Sequence, residues 1–294
     1  MRLLILALLP SVLLFIYVWK KDQAEKEPIG LLVKIFIFGM LSIIPAVILE
    51  SIADVVFLEL WAEESATYII VSNFIGVALV EEWGKRKAAK LAAWKHPAFN
   101  YKFDAIVYCI VSALGFATLE NILYVFENGV EVAISRALLA VPSHAIDGLI
   151  MGYFFGLAKE AEVKGDKRRK KRFYRLSLIV PMLEHGAYDA ALSTDSTLIF
   201  VLFFVMVISV DIWAFIFIRK QSKEDKALFS QAVMMDGVQL PAQGQPLQSA
   251  VDSTSGAIIY PSANQTGDDI IPPADFSPKA TVILDKPFEF EDGK

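Results

Sequence analysis

The chain has 294 residues, of which 55% are hydrophobic and 21% charged, with a mean hydropathy of +0.49. That balance is too apolar for a soluble domain of ordinary composition. The net charge of −5 comes largely from one acidic loop and an acidic C-terminal stretch, so no extended basic surface for nucleic acid is indicated. The single cysteine, Cys109, rules out an intrachain disulfide framework and a cysteine-built metal site.

A helix that crosses a hydrocarbon core of about 30 Å needs roughly 20 mainly apolar residues. Seven runs approach this, at Leu3–Val18, Leu31–Leu49, Ala66–Val80, Ala105–Phe126, Ile134–Ala158, Phe173–Leu192 and Leu198–Ile218. The expected fold is therefore all-α, a polytopic transmembrane bundle of about seven spans. Arg2 ahead of the first run is also how a signal peptide begins. No small-residue cleavage site follows, however, and Tyr17, Trp19, Lys20 and Lys21 form an interfacial anchor, so the run reads as a span. The third run is short, and Glu81 and Glu82 lengthen it if they face protein.

Lys and Arg collect in alternate connections: Lys20, Lys21 and Lys26; Lys85 through Lys102; Lys164 through Arg172; and Arg219 through Lys226. The connection Glu50–Ser65 has none and carries five acids, and Arg136 stands alone in another. Short basic loops stay cytoplasmic, so an outside N-terminus and a cytoplasmic C-terminus are expected. Residues 1–220 read as one transmembrane domain, with a motif core over residues 66–192. Residues 221–294 read as a tail too poor in apolar side chains to offset its chain entropy, and disorder is expected there. No internal repeat is visible.

Ionisable groups within spans are costly unless they face the bundle interior, so each one points to function. Here they are Lys34, Glu81, Glu82, Glu120, His144, Asp147, His185, Asp189 and Asp211. Only three histidines exist, and two of them, His144 and His185, fall mid-span. Each has a carboxylate one helical turn on, Asp147 and Asp189. His96 lies in a basic connection and reads as solvated. A carboxylate pair, a further buried carboxylate and two imidazoles on successive spans are what hydrolysis inside a membrane needs: a water held, deprotonated and aimed at a carbonyl whose oxyanion is then stabilised.

The set Glu81-Glu82-x-x-Lys85, Phe116-x-x-x-Glu120 and His185-x-x-x-Asp189 resembles the three motifs of PrsW-type intramembrane proteases, which are distantly similar to the CAAX prenyl endopeptidases. The flanking text, including Gly115, Asn121, Pro142, Gly156 and Gly186, is similar as well, over about Gly30 to Leu192. The resemblance implies an endopeptidase of the bacterial cell membrane that cuts membrane-anchored protein substrates, such as anti-sigma factors in stress signalling. It implies Glu81, Glu82, Glu120 and His185 as catalytic, with His144, Lys85, Asn121, Asp147 and Asp189 in support. Glu184 departs from the pattern, standing where a more apolar residue is usual.

Two chemistries remain open at this level. In one, His144, His185 and a carboxylate from Glu81, Glu82 or Glu120 hold zinc, and another carboxylate takes the proton of its water. In the other, Glu81 or Glu82 activates water with no metal, and His185 donates to the oxyanion. The motifs of other membrane proteases, His-Glu-x-x-His, Gly-x-Gly-Asp and Gly-x-Ser-x-Gly, are absent. A transporter with a proton or cation path through the same residues is the alternative. Membrane lipids are expected partners, and nothing in the sequence speaks to oligomeric state.

Overall fold

The computed structural model describes residues 2–194, 196–228, 250–251 and 258–259. Ten α-helices are present among them: α1 (Arg2–Lys21), α2 (Ile29–Leu41), α3 (Ile43–Leu60), α4 (Ala66–Val71), α5 (Leu79–Ala93), α6 (Asp104–Asn128), α7 (Val130–Leu138), α8 (Ala140–Val163), α9 (Lys167–Leu192) and α10 (Thr197–Lys223). A π-helical segment, Ser72–Ala78, joins α4 to α5. Two short strands, Ala250–Val251 and Ile258–Ile259, pair antiparallel. The expectation of a disordered tail falls mainly on residues outside those described.

Six helical units are long and apolar enough to cross a membrane: α1, α2 with α3, α4 through α5, α6, α7 with α8, and α10. The 26-residue α9 is long enough but carries Arg175, Glu184, His185 and Asp189, and these acids and the imidazole serve the interior. Large apolar side chains on the outer helices stand in the open, among them Leu198, Ile216 and Val55, each more than 60% exposed. That surface suits a hydrocarbon solvent.

Three sequence boundaries are corrected. Glu50–Leu60 is not a connection but the second half of α3, because apolar residues at helical spacing continue past Leu49. The stretch after Val80 is likewise helical to Ala93, and its Lys85 and Arg86 are buried cations of the bundle rather than loop residues. The fifth run is broken at Leu139 into α7 and α8.

Successive units run end to end in alternating directions. At the basic end, Ser222 donates to the Lys21 carbonyl, Lys159 Nζ to the Trp94 carbonyl at 2.9 Å and Arg86 to the Tyr174 carbonyl at 2.7 Å. Past α10, Asp225 accepts from the Phe103 amide at 2.9 Å and the Leu228 amide donates to the Asn100 carbonyl at 2.7 Å. This ties the end of the last span to the turn ahead of α6. At the other end Asn73 meets Ser193 at 3.2 Å.

Helix α6 is the axis of the core, buried continuously from Asp104 to Thr118. Its contact with α8 is close because α8 offers glycine there: a Cβ at Gly152 would stand 2.5 Å from Ile106 Cα. Small residues at a helix crossing replace hydrophobic driving force with close van der Waals packing. Gly152→Leu should therefore lower stability by about 1–3 kcal/mol, the usual cost of overpacking. Gly30→Ala, where an added Cβ meets nothing within 4 Å, should change little. Thermal melts in detergent compare the two.

The connection between α1 and α2 buries Asp22 and Glu27, and the Tyr108 hydroxyl donates to Glu27. Burial pushes Asp22 up to about 6 and Glu27 up to about 7, from ordinary values of 3.8 and 4.5. A carboxyl raised by folding contributes stability that is complete below its unfolded pKa and is lost as pH rises through its folded one. The melting temperature should fall as pH rises from about 4.5 to about 7. Glu27→Gln, measured across the same range, should flatten that slope, and an unchanged slope would remove Glu27 as its source.

Candidate active site

Glu81 and Glu82 occupy the first turn of α5, directly after the π segment. Wider π turns recur at functional sites. This one lies against α9, where a Cβ at Gly186 would stand 2.5 Å from the Phe74 ring. Glycine after His185 thus lets the two backbones approach and brings His185 to the carboxylate pair.

Lys85, one turn beyond Glu81, is 0% exposed. Its Nζ lies 2.9 Å from Glu81 Oε2, 2.7 Å from Glu82 Oε1 and 2.9 Å from His144 Nδ1, and it sits 4.5 Å above the Phe116 ring. An ammonium has three donors and no acceptor, so His144 Nδ1 must accept. Its Nε2–H then donates to Glu120 Oε2 at 2.8 Å. The spacing of Phe116 and Glu120 now has a reason: the ring backs the cation, and the carboxylate one turn on fixes the imidazole.

Glu120 also pairs with Arg136 of α7 at 2.6 Å. Arg136 reaches Asn121 Oδ1 at 3.1 Å and covers the Tyr124 ring at 4.2 Å. Asn121 in turn donates to the Ala7 carbonyl at 2.8 Å. It braces α1 and Arg136 and does not reach the Glu and His groups. His185 Nδ1 is 2.9 Å from Glu82 Oε1, and its Nε2 is 3.1 Å from Asp189 Oδ2. The two imidazole rings meet edge to face at 5.3 Å.

Asp147, wholly buried, holds Oδ2 3.9 Å from His144 Nδ1 and 3.7 Å from His185 Nδ1. No amide, hydroxyl or ammonium donor reaches either of its oxygens, and its facing neighbour is the Glu184 carboxyl. Glu184, which departs from the motif, therefore extends the acidic interior behind His185.

One donor atom each from Glu81, Glu82, His144 and His185 falls within 4.8 Å of the others, all four residues being buried. Ligands of a tetrahedral metal stand about 3.5 Å apart, within reach of small side-chain rotations. Glu82 Oε2 is buried without a hydrogen-bond partner, and carboxylate with imidazole is a donor set that a divalent metal takes. The residues fit a metal. Glu120 stands outside this group, because its carboxylate is taken up by the far nitrogen of His144 and by Arg136.

These groups form the floor of a cavity of about 650 Å³ on the side away from the basic end, where Glu81, Glu120, His144, His185 and Asp189 line it and Glu82 lies behind. Glu50 of α3 and Arg136 of α7 stand in its walls. Sequence reading missed both as site residues. Glu50 stands just past an apolar run, where the sequence suggests a connection, and Arg136 has only its isolation among poorly basic connections to mark it. Lys34 and Asp211 take no part: Lys34 lies exposed beside Phe38, and Asp211 lines a separate apolar recess. His96 accepts from the Ala98 amide in the turn after α5.

Residues 27–214 match a family model described as PrsW family intramembrane metalloprotease. A protease PrsW of Geobacillus kaustophilus is 39% identical over 61% of this chain and 75% of its own. Those of Halalkalibacterium halodurans and Bacillus subtilis are 37% and 35% identical, over 83% and 86% of their lengths. No solved structure matches the chain.

Lys85 is the counter-charge of two buried carboxylates, and removing one partner of such a set costs about 3–5 kcal/mol. Lys85→Met should therefore lower metal-free stability by that order. Adding Glu82→Gln should restore part of it, since the orphaned charge goes too. Melting temperatures of the single and double variants give the coupling, and additive losses would show that Lys85 does not compensate Glu82.

Proposed function

The chain belongs to the PrsW family of intramembrane metalloproteases, and from that premise we propose that it hydrolyses peptide bonds of membrane-anchored proteins at the cavity floor formed by Glu81, Glu82, His144 and His185. The observation that carries this reading is the convergence of those four side chains, from three helices, on one point inside a membrane-spanning bundle. Catalytic roles follow from position. Glu81 faces the cavity and is the proton acceptor, and Glu82, His144 and His185 are the set that would hold a metal, which we take to be zinc. When bound, the ion supplies an acidified water and a Lewis acid for the scissile carbonyl.

The chain's own groups do the rest. Glu81 receives the proton of the attacking water and delivers it to the departing amide nitrogen. Glu120 orients His144 through its far nitrogen, as Asp189 does for His185, which keeps each imidazole aimed at the centre. Phe116 and the apolar residues around it exclude bulk water, so charge developing on the carbonyl oxygen meets fixed dipoles rather than solvent. Arg136 stands beside Glu120 in the wall and limits which side chains of the substrate enter.

The crowding of lysine and arginine at one end supports a cytoplasmic location for that end, with the N-terminus outside. The cavity then lies in the outer half of the membrane. We assign residues 1–220 to the protease domain and residues 221–294 to a cytoplasmic tail.

Purified protein should cleave a membrane-anchored peptide in detergent, which a transporter, needing a sealed compartment, would not do. Glu81→Gln should reduce the rate at least ~100-fold, the scale of losing a general base, with the fold intact by melting temperature. Exhaustive chelation should remove stoichiometric zinc and activity together. Full activity in metal-free protein would overturn the metal assignment in favour of water activated by glutamate alone.

A further inference from the structure

Zinc would have to sit where a cation already sits. Of the three residues that would hold it, Glu82 and His144 each have a ligand atom within 3 Å of Lys85 Nζ, and the third, His185, shares Glu82 Oε1 with it; the base Glu81 lies within 3 Å as well. Donation from Lys85 also keeps a lone pair on His144 Nδ1 turned to the centre, the lone pair that a metal would take. An ammonium and a dication cannot share that space, because like charges a few ångströms apart in a low-dielectric interior repel strongly.

A second acceptor stands next to the first. Asp147 is 0% exposed, no amide, hydroxyl or ammonium reaches its oxygens, and its one close partner is another buried acid, the Glu184 carboxyl, with which it shares a hydrogen bond. Asp147 is among the charges acting on Lys85, and the two groups approach the same atom: His144 Nδ1 lies 2.9 Å from Lys85 Nζ and 3.9 Å from Asp147 Oδ2. Two buried acids that share one hydrogen bond keep lone pairs to spare, and a cation brought to them is favoured. Lysine carries its ammonium on a flexible four-carbon stem, so a transfer between two neighbours of one imidazole nitrogen asks for a change of rotamer rather than a shift of the helix.

We propose that Lys85 is an exchangeable counter-cation: it holds the donor set together without metal, and on metal uptake its ammonium moves to Asp147. This rests on the metalloprotease reading and adds positioning roles for Lys85 and Asp147. Removing the ammonium takes away a competitor for the donors. Removing Asp147 takes away the place to which the ammonium goes.

The test is zinc affinity, measured on full-length protein in detergent by competition with a chelating fluorophore, together with the rise in melting temperature on adding zinc. Lys85→Met should bind zinc ~10-fold tighter than wild type, and Asp147→Asn ~10-fold weaker, within the range that outer-shell partners of a metal typically produce. In the Lys85→Met background Asp147→Asn should have no effect, because no ammonium needs a new partner. Lys85→Gln replaces the Met variant if the latter does not fold. Equal or weaker zinc binding by both Lys85 variants would overturn the exchange, as would an Asp147→Asn loss of equal size in both backgrounds, which would mean that Asp147 acts on the imidazoles instead. Absence of saturable zinc binding in every folded variant would overturn the metal reading itself, and the exchange with it.

Discussion

Two carboxylates on successive residues of one helix cannot enter a bundle interior without a cation. Charge transfer from water to a medium of low dielectric costs several kcal/mol per ion even after relaxation, and Glu81 and Glu82 are both buried. Lys85 answers both at once from one turn away, and the arrangement around it follows. Its third donor fixes the tautomer of His144, which hands Glu120 a hydrogen bond and so links α5 to α8 and α6. Phe116 places its ring face under the same cation. Three helices are registered against one ammonium.

The scaffold makes that registration possible by giving up hydrophobic pattern where it is needed. A strictly apolar α9 would satisfy the bilayer but bring no imidazole inward, and the helix that carries His185 and Asp189 is less apolar than the six units long and apolar enough to cross. Its polar side is covered by α8, α5 and the π segment. Glycine at position 186 lets α9 and the π segment come close enough for this covering, and Gly152 does the same for α8 against α6. Polar groups at membrane depth are tolerated where protein encloses them.

The same economy shows at the basic end. Asp22 and Glu27 are buried among amides and a tyrosine hydroxyl, and Asp225 is tied to the turn before α6. These acids hold the connections of α1, α6 and α10 together away from the cavity. The ends of the molecule thus do different work, one acidic network serving cohesion and the other, with histidine, serving chemistry.

Composition and hydropathy by themselves determined that this chain is a helical membrane protein, because the need for about 20 apolar residues per crossing is a one-dimensional constraint. The motif residues were legible too, since Glu and His inside apolar runs are too costly to be incidental. What the order of residues could not carry was anything set by distance between helices. It could not say that Lys85 is central rather than a loop cation, that Glu120 stands behind His144 rather than beside Glu81, or that Glu50 and Arg136 meet at one cavity. Hydrophobic runs report where a helix can lie and not how it is rotated. The π segment, the break at Leu139 and the glycine contacts decide that rotation, and with it which of several buried acids faces the reacting centre.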